Sequence, residues 1–320
     1  MNLKFGFVAL PTVAMLGLTA VFSNPAQAAS TTLSNSSQSL AVQTRSFQTR
    51  PTLSSPSVQP GRQLTMEGYY NRGFSRANSG DYAGAIADFS QVVAIVPRFH
   101  EAYFNRALAK DLGGDKAGAI ADYSQTLQVN PKYARAYVNR GAVYLDSGKL
   151  REALADFDQA IKLDRSSALA FNNRGNINMA LNRYSDALAD YTQAAALSPH
   201  DATARFNRGN AYMAMGWRSQ AIRDFNSALS LNPQYGKAYT NRGLAHHLNG
   251  NVASAMADWN RALAYNPADA YAYTNRAKLQ QEMGNKTAAL KDMRQAANIF
   301  QQRGSQQQYS NVMQTIQAML

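Results

Sequence analysis

The sequence predicts an all-α fold, a solenoid of seven helix-turn-helix units followed by one capping helix. Three observations predict it. First, Asn-Arg-Gly or Asn-Arg-Ala recurs at Asn71, Asn105, Asn139, Asn173, Asn207, Asn241 and Asn275, each start 34 residues after the last. A period of this length marks stacked supersecondary units. Second, the same register carries an alanine at Ala85, Ala119, Ala153, Ala187, Ala221, Ala255 and Ala289. Four residues after each stands a large side chain: Phe89, Tyr123, Phe157, Tyr191, Phe225, Trp259 and Met293. Third, punctuation is periodic. Gly80, Gly114, Gly148, Gly216, Gly250 and Gly284 fall in mid-unit, with Asn182 in the remaining one, and Pro97, Pro131, Pro199, Pro233 and Pro267 close five units.

The first thirty residues read as a secretory signal. Lys4 gives a positive start, Phe5 to Phe22 carries no charge, and Ala26-Gln27-Ala28 offers a cleavage site. Cleavage near Ala28 implies an extracytoplasmic location, a periplasm or an equivalent lumen. Residues 29–62 contain 14 Ser or Thr and no acidic residue. Such a segment buries too little apolar area to offset its ordering entropy, so it reads as a disordered linker. The repeats span residues 63–301. Within one unit, Tyr137, Gly141 and Tyr144 follow the i, i+4, i+7 spacing of a helical face. Gly148 then ends that helix in the left-handed conformation, a role Asn182 also suits. Ala153, Phe157 and Ala160 form the stripe of a second helix. Residues 302–320 place Tyr309, Val312, Met313, Ile316 and Met319 on one face, as a cap over the last apolar surface requires.

These columns resemble the tetratricopeptide repeat family. The family pattern runs from an aromatic through Leu-Gly and Tyr to Ala, then Phe four residues later, then Pro. One unit here has Tyr137, Gly141, Tyr144, Ala153 and Phe157, and another has Gly209, Tyr212, Ala221, Phe225 and Pro233. The chain departs from the pattern where Arg140 and its six equivalents replace Leu, where Arg165 and Gln301 replace Pro, and where Arg205 replaces an aromatic. The resemblance implies a right-handed superhelix whose first helices line a concave groove.

Helical geometry then assigns the Asn-Arg pair. With Tyr137 at zero, Asn139 lies at about 200° and Arg140 at about 300°. The arginines Arg72, Arg106, Arg140, Arg174, Arg208, Arg242 and Arg276 therefore flank the packed face. A partly buried guanidinium needs acceptors, and a carboxylate fits it in a two-pronged bond. The matching column is Asp88, Asp122, Asp156, Asp190, Asp224, Asp258 and Asp292. Pairing within a repeat and pairing between repeats both remain open at this point. The asparagines face away from the partner helix, toward the groove in the family arrangement. A primary amide donates and accepts at once, which matches a peptide backbone. Seven such amides, one per repeat, form a ladder for an extended chain. Specificity falls to a variable column, Glu67, Glu101, Arg135, Leu169, Thr203, Lys237 and Tyr271.

Other chemistry is excluded or unsupported. The absence of cysteine excludes disulfides, thiolate metal sites and a thiol nucleophile. His246 and His247 are adjacent, so they point about 100° apart and do not share a metal. There is no phosphate-binding loop, no metal-ligand spacing and no catalytic constellation. The expectation is a non-catalytic scaffold without cofactor that binds an extended peptide or partner protein in its groove. The competing reading is a cell-envelope protein holding polysaccharide or anionic lipid. It rests on the balance from residue 63 onward, 28 basic against 20 acidic residues, or +8. The secretory signal argues against nucleic acid and, once cleaved, against stable membrane insertion. The sequence is silent on oligomeric state.

Overall fold

A computed structural model describes residues 64–320; the signal, the linker and their calls lie outside the described residues. Fifteen α-helices follow one another in this span, with no strand. The first helices of the seven repeats are α1 (Met66–Asn78), α3 (His100–Leu112), α5 (Ala134–Asp146), α7 (Ala168–Ala180), α9 (Ala202–Ala214), α11 (Gly236–Leu248) and α13 (Ala270–Glu282). The second helices are α2 (Tyr82–Ile95), α4 (Lys116–Val129), α6 (Leu150–Leu163), α8 (Tyr184–Leu197), α10 (Arg218–Leu231), α12 (Val252–Tyr265) and α14 (Lys286–Gln302). The last helix, α15 (Gln306–Met319), packs on α14 and buries Val312, Ile316 and Met319.

The turn inside each repeat is set by one left-handed residue. Gly148 has φ 72°, its N–H bonds to Leu145 O at 3.0 Å, and the Lys149 N–H bonds to Tyr144 O at 2.9 Å. Those are the two bonds of a Schellman cap, which satisfy carbonyls that the helix end would leave open. Asn182, φ 58°, closes α7 the same way, with Arg183 N–H on Asn178 O at 2.8 Å. The two helices of a repeat then lie back to back because one side is small. A Cβ on Gly209 would stand 2.6 Å from Phe225, and one on Gly141 3.0 Å from Phe157. The ring of the second helix fills the space that the missing side chain leaves.

Successive repeats share their cores. Phe206, Phe225, Tyr239, Trp259 and Leu279 belong to one cluster that runs through repeats 5 to 7. First helices of neighbouring repeats touch one another, whereas neighbouring second helices make no comparable contact. The stack therefore curves with its first helices on the inner side, and the seams between those helices form the floor of the concave face.

Candidate functional site

The Arg and Asp columns meet inside each repeat. Every guanidinium of the column reaches the aspartate 16 residues later with Nε and Nη2. The Arg140–Asp156 distances are 2.9 and 2.8 Å, with Asp156 buried and Arg140 mostly so. This geometry raises the Arg140 pKa, through the Asp156 hydrogen bond first and against the desolvation of the guanidinium. Arg72, Arg174 and Arg208 shift the same way for the same reason. At Asp190 desolvation is the largest effect and raises the carboxyl, while the bonds from Arg174 and Asn178 oppose it.

The remaining guanidinium nitrogen does something the sequence analysis missed. Nη1 of Arg106 and Arg140 donates to Ser90 and Ser124, and Nη1 of Arg174, Arg242 and Arg276 to Asp158, Asn226 and Asn260. Each acceptor sits on the second helix of the preceding repeat. The arginine thus ties its own two helices together and bridges to the repeat before. Ser90, Ser124, Asp158, Asn226 and Asn260 form a 34-residue column of short polar side chains, a signal present in the sequence.

The asparagine column requires a correction. Asn105, Asn139 and Asn207 do not stand open to the groove; they are buried, with 0, 6 and 2% exposure. A helical wheel measures angles against a helix's own partner and omits the neighbouring repeats, of which the preceding one meets this face. The amides work across that seam. Asn105 Nδ2 donates to the Tyr70 hydroxyl at 2.8 Å and Asn139 Nδ2 to the Tyr123 hydroxyl at 3.4 Å. Asn207 Nδ2 donates to Asn172 Oδ1 at 3.0 Å and Asn176 Oδ1 at 3.3 Å, and Asn241 Nδ2 to Asn210 Oδ1 at 2.7 Å. Every one of these acceptors belongs to the preceding repeat. Asn173, Asn241 and Asn275 are half-buried and Asn71 is exposed.

The variable column carries changing chemistry along the first helices. Glu101 accepts from His100 Nδ1 at 3.0 Å, and the Arg135 guanidinium lies 5.8 Å from the Phe104 ring. Leu169 and Thr203 follow, half-buried and uncharged. Desolvation lowers the Lys237 ammonium below the usual lysine range, with the Asp269 carboxylate opposing. Lys278 is lowered by burial as well. Tyr271 packs edge-on against Phe300 at 5.4 Å. Among the described residues no three His, Asp or Glu side chains gather as a metal site, and no helix is long and apolar enough to cross a membrane.

Comparison with known proteins agrees with this architecture. A family model for the TPR repeat matches residues 112–148 and 175–216. Tetratricopeptide repeat models match residues 134–167, 206–272 and 270–302. Together these span most of the repeat region, residues 112–167 and 175–302. No curated protein matches the chain. Among solved structures, a tetratricopeptide repeat protein from Parabacteroides merdae has a TM-score of 0.62 at 20% identity, over 78% of this chain and 98% of that one. YrrB, a TPR protein with an unusual peptide-binding site, has a TM-score of 0.51 at 23% identity, over 57% of this chain and 95% of its own. PilF of Pseudomonas aeruginosa has a TM-score of 0.59 at 14% identity, covering 68% and 97%. With its seven helix pairs, its left-handed turns and these matches, the chain belongs to the tetratricopeptide repeat family.

Proposed function

We propose that this protein is a non-catalytic interaction scaffold that holds a partner protein, as an extended segment, along its concave face, and that it does so outside the cytoplasm. Tetratricopeptide repeats generally mediate protein–protein interactions, and YrrB is a fold relative with a peptide-binding site. The observation that carries the reading is the division of labour on the first helices. The arginine charge is neutralised within each repeat by an aspartate, so the regular columns hold the stack together. The concave face is then left to side chains that change from repeat to repeat: Glu67, Glu101, Arg135, Leu169, Thr203, Lys237 and Tyr271. A surface of varied chemistry on a rigid periodic frame is built to discriminate among partners. The location rests on the Lys4, apolar-run and Ala-Gln-Ala pattern of the first thirty residues.

Photocrosslinking tests the reading. A benzophenone side chain is placed at Leu169 or Thr203 on the first helices, and at Gln193 or Ala196, exposed on α8, as the outer control. Crosslinks to polypeptide from the two inner positions, absent from the two outer ones, are expected in the extracytoplasmic fraction. Equal or exclusive capture at α8 would move the binding surface to the second helices and overturn the proposal.

A further inference from the structure

We propose that the edge formed by the intra-repeat turns of repeats 4 to 7 docks this protein on a bilayer rich in anionic phospholipid. Exposed apolar tips enter at the headgroup level, and the cations of the second helices lie over the phosphates. This surface is separate from the concave face and does not depend on what the groove holds.

Topology puts these turns together. Every first helix ends, and every second helix begins, at an intra-repeat turn, and the first helices stack side by side. The seven turns therefore follow one another along one edge. In repeats 1 to 3 that edge is polar, with Ser79 and Asp81, Gly113 and Asp115, Ser147 and Lys149. Asp81 and Asp115 are spent as caps, accepting from the Gly84 and Gly118 N–H groups at 2.9 and 2.8 Å. In repeats 4 to 7 the turns and the helix starts beside them carry Leu181, Trp217, Val252 and Met283, which are 39, 45, 40 and 54% exposed. No large apolar side chain at the turns of repeats 1 to 3 is exposed to that degree. Trp217 is held by stacking on Tyr212, with ring centroids 5.9 Å apart. At about 10 Å per repeat the row spans on the order of 30 Å. Ordinary surfaces scatter single apolar residues, whereas a contiguous row of them marks an interaction site.

Charge identifies what meets this row. Residues 199–320 hold 13 basic and 6 acidic side chains, which is +7 of the +8 carried from residue 63 onward. Helices α10, α12 and α14 contribute Arg218, Arg223, Arg261, Lys286, Lys291 and Arg294, all exposed. The carboxylates of these helices, Asp224, Asp258 and Asp292, are buried and bound by Arg208, Arg242 and Arg276. Lys286 Nζ lies 3.4 Å from Leu320 O, and the other five cations make no ion pair among the described residues. The earlier second helices are balanced, with Lys116, Arg151 and Lys162 against Glu152, Asp158 and Asp186. At the edge itself Arg183 adds a cation, while Asp186 and Glu282 oppose, the latter 3.6 Å from His247 Nε2. Trp and aliphatic tips beside Arg and Lys suit a bilayer interface, where apolar groups sit at the headgroup level and cations stay with the phosphates. A soluble polyanion would engage the cations and leave the apolar row uncovered. Each cation near an anionic leaflet strengthens attachment about fivefold.

Local fluorescence tests the edge. The chain has no cysteine, so single cysteines take a label cleanly. Leu181→Cys and Met283→Cys, and at the same turn position Ser79→Cys and Ser147→Cys, each receive an environment-sensitive fluorophore. The full chain keeps the apolar run Phe5 to Phe22, which can hold it on any vesicle, so the label is read rather than total binding. Labels at 181 and 283 are expected to brighten and shift to the blue on vesicles of equal phosphatidylglycerol and phosphatidylcholine, and not on phosphatidylcholine alone. Labels at 79 and 147 are expected to stay unchanged on both. Arg218→Glu combined with Arg223→Glu should move the response at 283 to more than tenfold higher lipid concentration, with an unchanged urea midpoint. No response at 181 and 283, or an equal response at 79 and 147, overturns the proposal. A response at 283 that the two charge reversals leave undiminished overturns it as well. Retention of the chain on dextran sulfate without any label response on vesicles would assign the basic helices to a soluble polyanion and overturn the bilayer.

Discussion

At the scale of the residue, the arginine column shows why a charge is kept half inside the stack. A guanidinium has five N–H donors, and here two go to the aspartate of its repeat and, in five repeats, a third to the repeat before. A lysine could meet only part of that demand, because its ammonium lacks the planar fork. Removing the carboxylate leaves a desolvated cation, so Asp156→Ala is expected to lower stability by about 3 kcal/mol in urea unfolding. Exchanging the pair, Arg140→Asp with Asp156→Arg, should recover part of that loss; a loss equal to the sum of the two single changes would show that direct pairing contributes little. A second prediction concerns His246, whose pKa is held below the usual histidine range by desolvation, against the pull of Asp258 and with the Arg242 charge adding to the depression. A depressed histidine binds its proton in the unfolded chain first. Stability should therefore fall as pH drops below about 6.5, the unfolded-chain value. His246→Gln should flatten that part of the curve between pH 7 and 5, and an identical slope in both proteins would remove His246 as its source.

At the scale of the element, the helices were legible because each rests on a local rule. The 3.6-residue face of Tyr137, Gly141 and Tyr144, the left-handed stop at Gly148 and the Ala153–Phe157 stripe are properties of one helix or one pair. Asn182 is the sharpest case, since replacement of glycine by asparagine in one turn of seven is what a left-handed position permits. Asn182→Ala should cost about 1 kcal/mol, because a Cβ without a compensating polar group is strained there. Asn182→Gly should cost nothing or stabilise slightly, and equal effects of the two substitutions would mean that φ 58° is not what selects the residue. The groove side of the site was less legible. The wheel located Asn139 opposite its own partner helix, yet the residue is buried, because the following and preceding repeats are bodies the wheel does not contain. The seam partners Asn172, Asn176 and Asn210 went unnoticed for the same reason: they do not repeat in every unit, so no column announces them. The arginines' Nη1 acceptors did form a column, and a search for short polar residues at period 34 would have found it.

At the scale of the whole molecule, a solenoid is a line of nearest-neighbour interfaces, and its stability is the sum of its repeats and seams. Such a line is weakest where one seam is poor. The cores of repeats 5 to 7 join through Phe206, Phe225 and Trp259, whereas the junction of repeats 4 and 5 packs Ala194, Ala195 and Ala204 with Phe171, and Met179 and Tyr191 with Ala211, beside the asparagines. One buried donor there, Asn172 Nδ2, has no acceptor, which costs about 1–3 kcal/mol relative to a satisfied or apolar site. Asn172→Val supplies the residue type found at Val138 and deletes the orphan, while Asn207 keeps its bond to Asn176. The substitution should raise stability by about 1 kcal/mol. Native-state hydrogen exchange locates the effect: amides of α7 and α9 should gain protection in the variant, while those of α3 and α13, several seams away, change little. Protection that rose uniformly along the chain would mean that the seven repeats unfold as one unit and that no seam is weak. Protection that fell at α7 and α9 would mean that the asparagine network is worth more than the packing it displaces. In that case the polar seam would serve the fold itself.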